Sequence, residues 1–211
     1  MVKELHLVSN GRLPLDHFAE LAGRLQPYVS VFHLREKSLS LVEVMQGIEL
    51  MRKAGVPAAK IMVNDRADAA WASGAGGVQL ATHSLNPAEV RRRFPGLRIG
   101  RSVHGVDEGL EMARRGADFL VFGHLYATSS KPDLPPHGLE PLRWLAARTR
   151  IPVIGIGGIR PNNAAAVIRA GAAGIAVMSG ILEADDPAAA AKQYADAISE
   201  GGEGADEETV G

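Results

Sequence analysis

The chain has 211 residues, 46% of them apolar and 22% charged, which is enough to bury one core of ordinary globular size. A formal net charge of −1 and a pI near 6.7 leave no basic footprint, so neither nucleic acid nor an anionic membrane surface is an expected partner. With no cysteine, disulfides, thiolate metal sites and a cysteine nucleophile are excluded. The first ten residues, MVKELHLVSN, carry no apolar signal core, and no run approaches membrane-spanning length, so a cytoplasmic protein is expected.

Taken in order, residues 4–9 read as a first strand, followed after Pro14 by an amphipathic helix bearing Phe18, Leu21 and Leu25. Residues 28–35, YVSVFHLR, form a β-branched and aromatic second strand, whose alternation puts Val31, His33 and Arg35 on one side with Lys37 continuing toward the same mouth. A helix over 39–54, closed by Gly55, leads to a third strand at 60–64 and a short helix at 67–73. A short fourth strand at 77–80 precedes a loop and a helix opened by Pro87. The fifth strand and helix fall at 97–103 and 106–115, and the sixth strand at 118–122. Residues 123–138, GHLYATSSKPDLPPHG, are the longest candidate loop and read as a cover over a substrate. A helix at 139–149 precedes the last two strands, 151–156 and 174–178, with a helix at 162–170 between them. Residues 187–199 form the closing helix, and the glycine- and acid-rich residues 200–211 are expected to be a disordered tail.

Eight strand-like runs alternating with helices in one composition regime predict a single-domain (β/α)8 TIM barrel over residues 1–199, with an open doubly wound sheet as the alternative. In such a barrel the loops after strands seven and eight form a phosphate pocket. Here Gly157, Gly158, Met178 and Ser179 occupy those loops, offering backbone N–H groups to a dianion. The turn GIGGI carries Arg160 where a dinucleotide fingerprint needs its last glycine, which disfavours a nicotinamide cofactor.

The other strand ends supply Arg35, Lys37, Asn64, Asp65, Gln79, Ser102, His104 and His124. The set holds cations and imidazoles but one carboxylate, so a paired-carboxylate mechanism has little support. His124 is the candidate general acid or base, since it ends an apolar strand and imidazole is the side chain whose unperturbed pKa lies near neutrality. His104 is expected to shape the pocket, and His33 to be a hydrogen-bonded core histidine. Arg35 and Lys37 suit an anionic group of the substrate, either carboxylate or phosphate, with a rim salt bridge to Glu36 or Asp65 as the structural alternative. No H-E-x-x-H motif is present, so a zinc hydrolase is not indicated.

The motifs HLREKS (33–38), VNDR (63–66), GRSVH (100–104), FGHLYAT (122–128), PVIGIGGI (152–159) and GIAVMSGI (174–181) together resemble the thiamine-phosphate synthase and TenI superfamily. The synthase branch joins a pyrimidine pyrophosphate to a thiazole phosphate and uses two aspartates to hold Mg²⁺. Asp65 matches the first, and Ser84 stands where the second is expected. His124 after FG resembles instead the TenI branch, the thiazole tautomerases, where the matching histidine is implicated in proton transfer. That resemblance implies a cofactor-independent isomerase, without a metal, that aromatises a carboxythiazole phosphate in thiamine biosynthesis. In it Arg35 and Lys37 face the ring carboxylate, the loops after strands seven and eight hold the phosphate, and the assembly is a homodimer. An active synthase and a non-catalytic ligand-binding or regulatory protein are the two alternatives.

Overall fold

The computed structural model describes residues 2–207. Eight parallel strands close on themselves in chain order: β1 (Glu4–Val8), β2 (Val31–Leu34), β3 (Ile61–Asn64), β4 (Gly77–Leu80), β5 (Arg98–Val103), β6 (Phe119–Gly123), β7 (Val153–Ile156) and β8 (Gly174–Val177), with β8 pairing back onto β1. The fold is the (β/α)8 barrel that the alternation of runs predicts.

Around it lie α1 (Leu15–Leu25), α2 (Leu41–Lys53), α3 (Ala67–Ser73), α4 (Pro87–Arg93), α5 (Val106–Arg114), α6 (Glu140–Arg148), α7 (Pro161–Arg169), a one-turn α8 (Ser179–Leu182) and α9 (Pro187–Glu207). Local chemistry sets several helix starts. Ser40 and Glu43 form a reciprocal capping box on α2, and the Asn86 side chain caps α4 ahead of Pro87. No described helix is long and apolar enough to cross a membrane.

The closing helix passes the Ser199 boundary expected from sequence, and residues 208–211 lie outside the described residues. The acidic tail was expected to begin at residue 200, but the chain is helical there because Gly201 packs onto α7. A Cβ at Gly201 would stand 2.9 Å from Ala165 Cα. The glycine that reads as a helix breaker therefore serves close helix-to-helix approach.

Outward-facing strand residues and the helices share one large core, including Leu5, Leu7, Phe32, Leu34, Val78, Leu120 and Phe122. Inside the barrel a second cluster of Val8, Val31, Met62, Phe119, Val121, Ile154 and Ala176 fills the axis. Gly100, which alternation turns inward, has no room for a side chain because the Phe119 ring and the Gln79 amide occupy the place its Cβ would take. The barrel axis is a packed support for the cavity at its C-terminal rim.

Candidate functional site

The strand ends open into a cavity of ≈ 910 Å³, a size suited to small-molecule ligands. Its wall includes Arg35, Lys37, Asn64, Ser102, His104, His124, Gly157, Gly158, Met178 and Ser179, so ten of the residues singled out from sequence come together there. Gln79 does not reach the wall. It is 4% exposed and sits beneath the floor, where its amide N–H donates to Ser102 Oγ at 3.0 Å and its Oε1 is buried without a partner. The strand ends at Leu80, as expected, so Gln79 lies one residue inside it and the rim positions belong to Ala81, Thr82 and His83.

The turns after β7 and β8 have the geometry of an anion cradle. Gly157 and Gly158 have φ of 97° and 64°, in the left-handed region that side-chain-bearing residues avoid. A Cβ at Gly157 would overlap His124, and one at Gly158 would crowd Tyr126 and Ala127, so both are glycine for space as well as for conformation. The N–H groups of Gly157, Gly158, Ser179 and Gly180 have no acceptor among the described residues, which leaves them available to a ligand.

Across the mouth, the loops after β2, β3 and β6 bring cations. The Arg35 N–H donates to Ser9 Oγ at 2.8 Å, and that hydroxyl donates to Glu36 Oε1 at 2.6 Å, fixing the turn that carries Arg35 and Lys37. Among the described residues no ion pair engages Arg35, Lys37 or Lys131, nor Arg160 just beyond the turn after β7, so the rim salt bridge weighed from sequence does not form and four cations without an ion-pair partner line a cavity that also holds the Glu36 and Asp65 carboxylates. Thr128, Ser129 and Ser130 line the same wall as Lys131.

Asp65 is the one non-glycine residue with positive φ, 61°, among the described residues. Its carboxylate accepts from His83 Nε2 at 2.8 Å and from the Ser84 hydroxyl. A backbone outlier held by its neighbours at a cavity rim is a mark of function. Arg101 holds the loop bearing His83 and Ser84 from behind, its guanidinium donating to the Thr82 and Leu85 carbonyls at 3.2 and 3.5 Å.

Three imidazoles meet at the foot of the long loop. His104 Nδ1 donates to the Gly123 carbonyl at 2.7 Å, and His124 Nε2 donates to the Leu134 carbonyl at 3.1 Å. The His137 ring lies 6.1 Å from His104 and 5.6 Å from His124 between centroids. Burial, then the neighbouring imidazoles and Lys131, pushes the His137 pKa down. Because a carbonyl takes the Nε2 proton of His124, its buried Nδ1 is an acceptor without a partner.

Comparison with known proteins decides the family. The model described as thiamine monophosphate synthase (TMP-TENI) matches residues 5–181. The thiamine-phosphate synthase of Chloroflexus aurantiacus is 40% identical over 191 residues, covering 88% of this chain and 86% of that protein. The chain belongs to the TMP-TENI family. A second relative, the thiamine-phosphate synthase of Moorella thermoacetica, is 43% identical, covering 83% of this chain and 85% of its own length. Among solved structures, thiamine phosphate pyrophosphorylase from Pyrococcus furiosus superposes with a TM-score of 0.82 at 30% identity, over 94% of this chain and 96% of that one.

These comparisons correct the expected activity. A thiazole tautomerase, and with it the isomerase class and the TenI branch, is not what the similar proteins are named; the relatives are named thiamine-phosphate synthases and the solved structure a thiamine phosphate pyrophosphorylase. The reading from sequence rested on two positions, His124 and Ser84. It undervalued residues 128–131, whose hydroxyls and lysine line the cavity. Glu36, Arg66, His83, Arg160 and Tyr194 in the wall were missed as well. Of these only Arg160, beside the glycine turn, carried a visible signal. The Mg²⁺ that the synthase branch uses does not fit the carboxylate present: both Asp65 oxygens accept from His83 and Ser84, and Ser84 stands in place of a second carboxylate.

Proposed function

We propose that the protein is a thiamine-phosphate synthase, a transferase joining a thiazole phosphate to a pyrimidine carried as its pyrophosphate ester. One observation carries this reading: a single cavity of ≈ 910 Å³ has free amides on one side and cations without an ion-pair partner on another, with room for two anionic substrates. The thiazole phosphate sits on the N–H groups of Gly157, Gly158, Ser179 and Gly180, with Met178 against the ring. The pyrophosphate faces Arg35, Lys37 and Lys131, with the hydroxyls of residues 128–130. As the carbon–oxygen bond to the pyrimidine breaks, its electron pair leaves on the pyrophosphate, the thiazole ring nitrogen supplies the pair for the new carbon–nitrogen bond, and fixed cations in a partly enclosed site offset the charge growing on the leaving group. Asn64, Ser102 and His104 orient the pyrimidine, and His124 Nδ1 is an acceptor for an exocyclic N–H of the substrate. The working unit we infer is one barrel domain, dimeric and cytoplasmic, acting on water-soluble phosphate esters.

The reading is tested by incubating purified protein with both substrates, with and without Mg²⁺, and following thiamine phosphate by oxidation to its fluorescent thiochrome. Product should form in proportion to protein and fall about tenfold or more in Lys131→Ala, the loss of one charge-stabilising group. No product under either condition would remove the synthase reading.

A further inference from the structure

The two glycine-bearing turns are both reached by one side chain of the closing helix. Tyr194 stands on α9, is 2% exposed, and its hydroxyl donates to the carbonyl of Ile159 at 3.0 Å, directly after Gly158. The same hydroxyl occupies the place where a Cβ at Gly180 would lie, with the ring Cζ 3.1 Å from that position. Gly180 therefore has no side chain because the Tyr194 hydroxyl passes through the space. Burial raises the phenol's pKa, which keeps it a donor at neutral pH.

One buried group thus touches the turn after β7 by a hydrogen bond and the turn after β8 by van der Waals contact. The first turn contains two successive glycines at positive φ, whose carbonyls accept from the Tyr126 N–H at 3.0 Å and from Asn163 Nδ2 at 3.2 Å. Pinning the Ile159 carbonyl adds a third anchor at the exit of that turn, and contact with Gly180 sets how far away the second group of amides stands. A phosphoryl group bound by backbone N–H groups gains most when the donors are held converging before it arrives.

We propose that Tyr194 is a positioning residue for a phosphate monoester. It makes no contact with the phosphate and sets the spacing between the amides of Gly157 and Gly158 and those of Ser179 and Gly180. The inference rests on the reading of these turns as a phosphate cradle.

The test is titration of the ¹⁵N-labelled protein with inorganic phosphate, following the amide signals of these four residues in wild type, Tyr194→Phe, Gly180→Ala and the double variant. In wild type all four amides should shift together and saturate. Tyr194→Phe should weaken phosphate about three- to tenfold, the range of one neutral hydrogen bond, with the melting temperature within a few degrees of wild type. Gly180→Ala should weaken binding further, and the double variant should bind more tightly than Gly180→Ala because removing the hydroxyl relieves the overlap. Unchanged affinity in Tyr194→Phe, or a double variant no better than Gly180→Ala, overturns the role of Tyr194 and leaves the cradle standing. Wild-type amides that ignore phosphate overturn the cradle, and the inference falls with it.

Discussion

Ser84 is the residue where family resemblance and site chemistry part. Its hydroxyl donates to Asp65, and His83 donates to the other oxygen of the same carboxylate, so one negative charge is hydrogen-bonded by two side chains of the loop after β4. Ser84→Asp would exchange a donor for a second carboxylate at contact distance from the first. Without a divalent cation the variant should lose about 1–2 kcal/mol of stability through like-charge repulsion. Added Mg²⁺ or Mn²⁺ should restore it, since two carboxylates are what such an ion needs from a protein. Melting in the presence of EDTA and then of each ion decides the matter. A wild type stabilised by the ions as much as the variant would mean that the present residues already hold a cation. At this scale the sequence was informative wherever a residue's role follows from its position on a strand. Arg35, Asn64, Ser102 and His124 were legible as rim residues because alternation and strand length alone place them. Gln79 was not, because it stands one residue before the end of β4, and one residue separates rim from interior.

Among the elements, α3 and β4 match their expected limits, since each is a short run bounded by glycine or turn residues. The one-turn α8 escaped notice because four residues show no periodicity. It exists because Ile181 and Leu182 are buried against the rest of the barrel. The loop over residues 81–86 was legible only as a loop, and what shapes it is a tertiary contact. Arg101 faces away from the barrel axis, is 6% exposed, and spends its guanidinium on the Thr82 and Leu85 carbonyls, with its Nε left unpaired. Burial lowers its pKa, and a guanidinium is a permanent cation in proteins. The loop's own ties are the Ser84 N–H to the Ala81 carbonyl at 3.0 Å and the Ala81 N–H to Ser84 Oγ at 2.7 Å. Arg101→Met should therefore speed hydrogen exchange at the Ala81 and Ser84 amides and cost about 1–3 kcal/mol, while Arg101→Lys, which presents a point charge instead of a fork, recovers only part. Exchange at these amides that matches wild type would mean the loop is shaped without the guanidinium.

The molecule as a whole carries its chemistry at one end of the barrel and, at the other, two buried histidines tied to a half-buried ion pair. Below the hydrophobic layer inside the sheet, Glu4 on β1 accepts from His6 Nε2 at 2.8 Å and from Arg98 at 3.2 Å, and His6 Nδ1 lies 2.9 Å from His33 Nε2. With the Nε2 proton of His6 given to the carboxylate, its Nδ1 is free to accept from His33, so both rings are neutral in a one-way chain. Arg98 lies 4.6 Å above the centre of the Phe119 ring, which meets both imidazoles edge-on. The expectation of a satisfied core histidine at position 33 holds, but its partner could not be read from sequence, because pairing with His6 depends on the register of β1 against β2. The cluster makes stability depend on pH in a definite direction. Burial lowers the pKa of both His6 and His33, so the unfolded chain binds protons near pH 6.5 that the folded chain refuses. Stability contributed by the neutral rings is complete above that pH and is lost as pH falls below it, by up to about 1.4 kcal/mol per pH unit for each ring. Glu4 works in the same direction at lower pH, its pKa lowered to about 2 chiefly by the hydrogen bond from His6, so its share is lost only below the usual glutamate range. Urea unfolding between pH 5 and 7.5 should show a midpoint that climbs with pH. His33→Gln, which can still donate to His6 but cannot titrate in this range, should flatten that climb by about half. A slope equal to wild type would place the titration elsewhere, with His137 at the cavity mouth the first residue to replace.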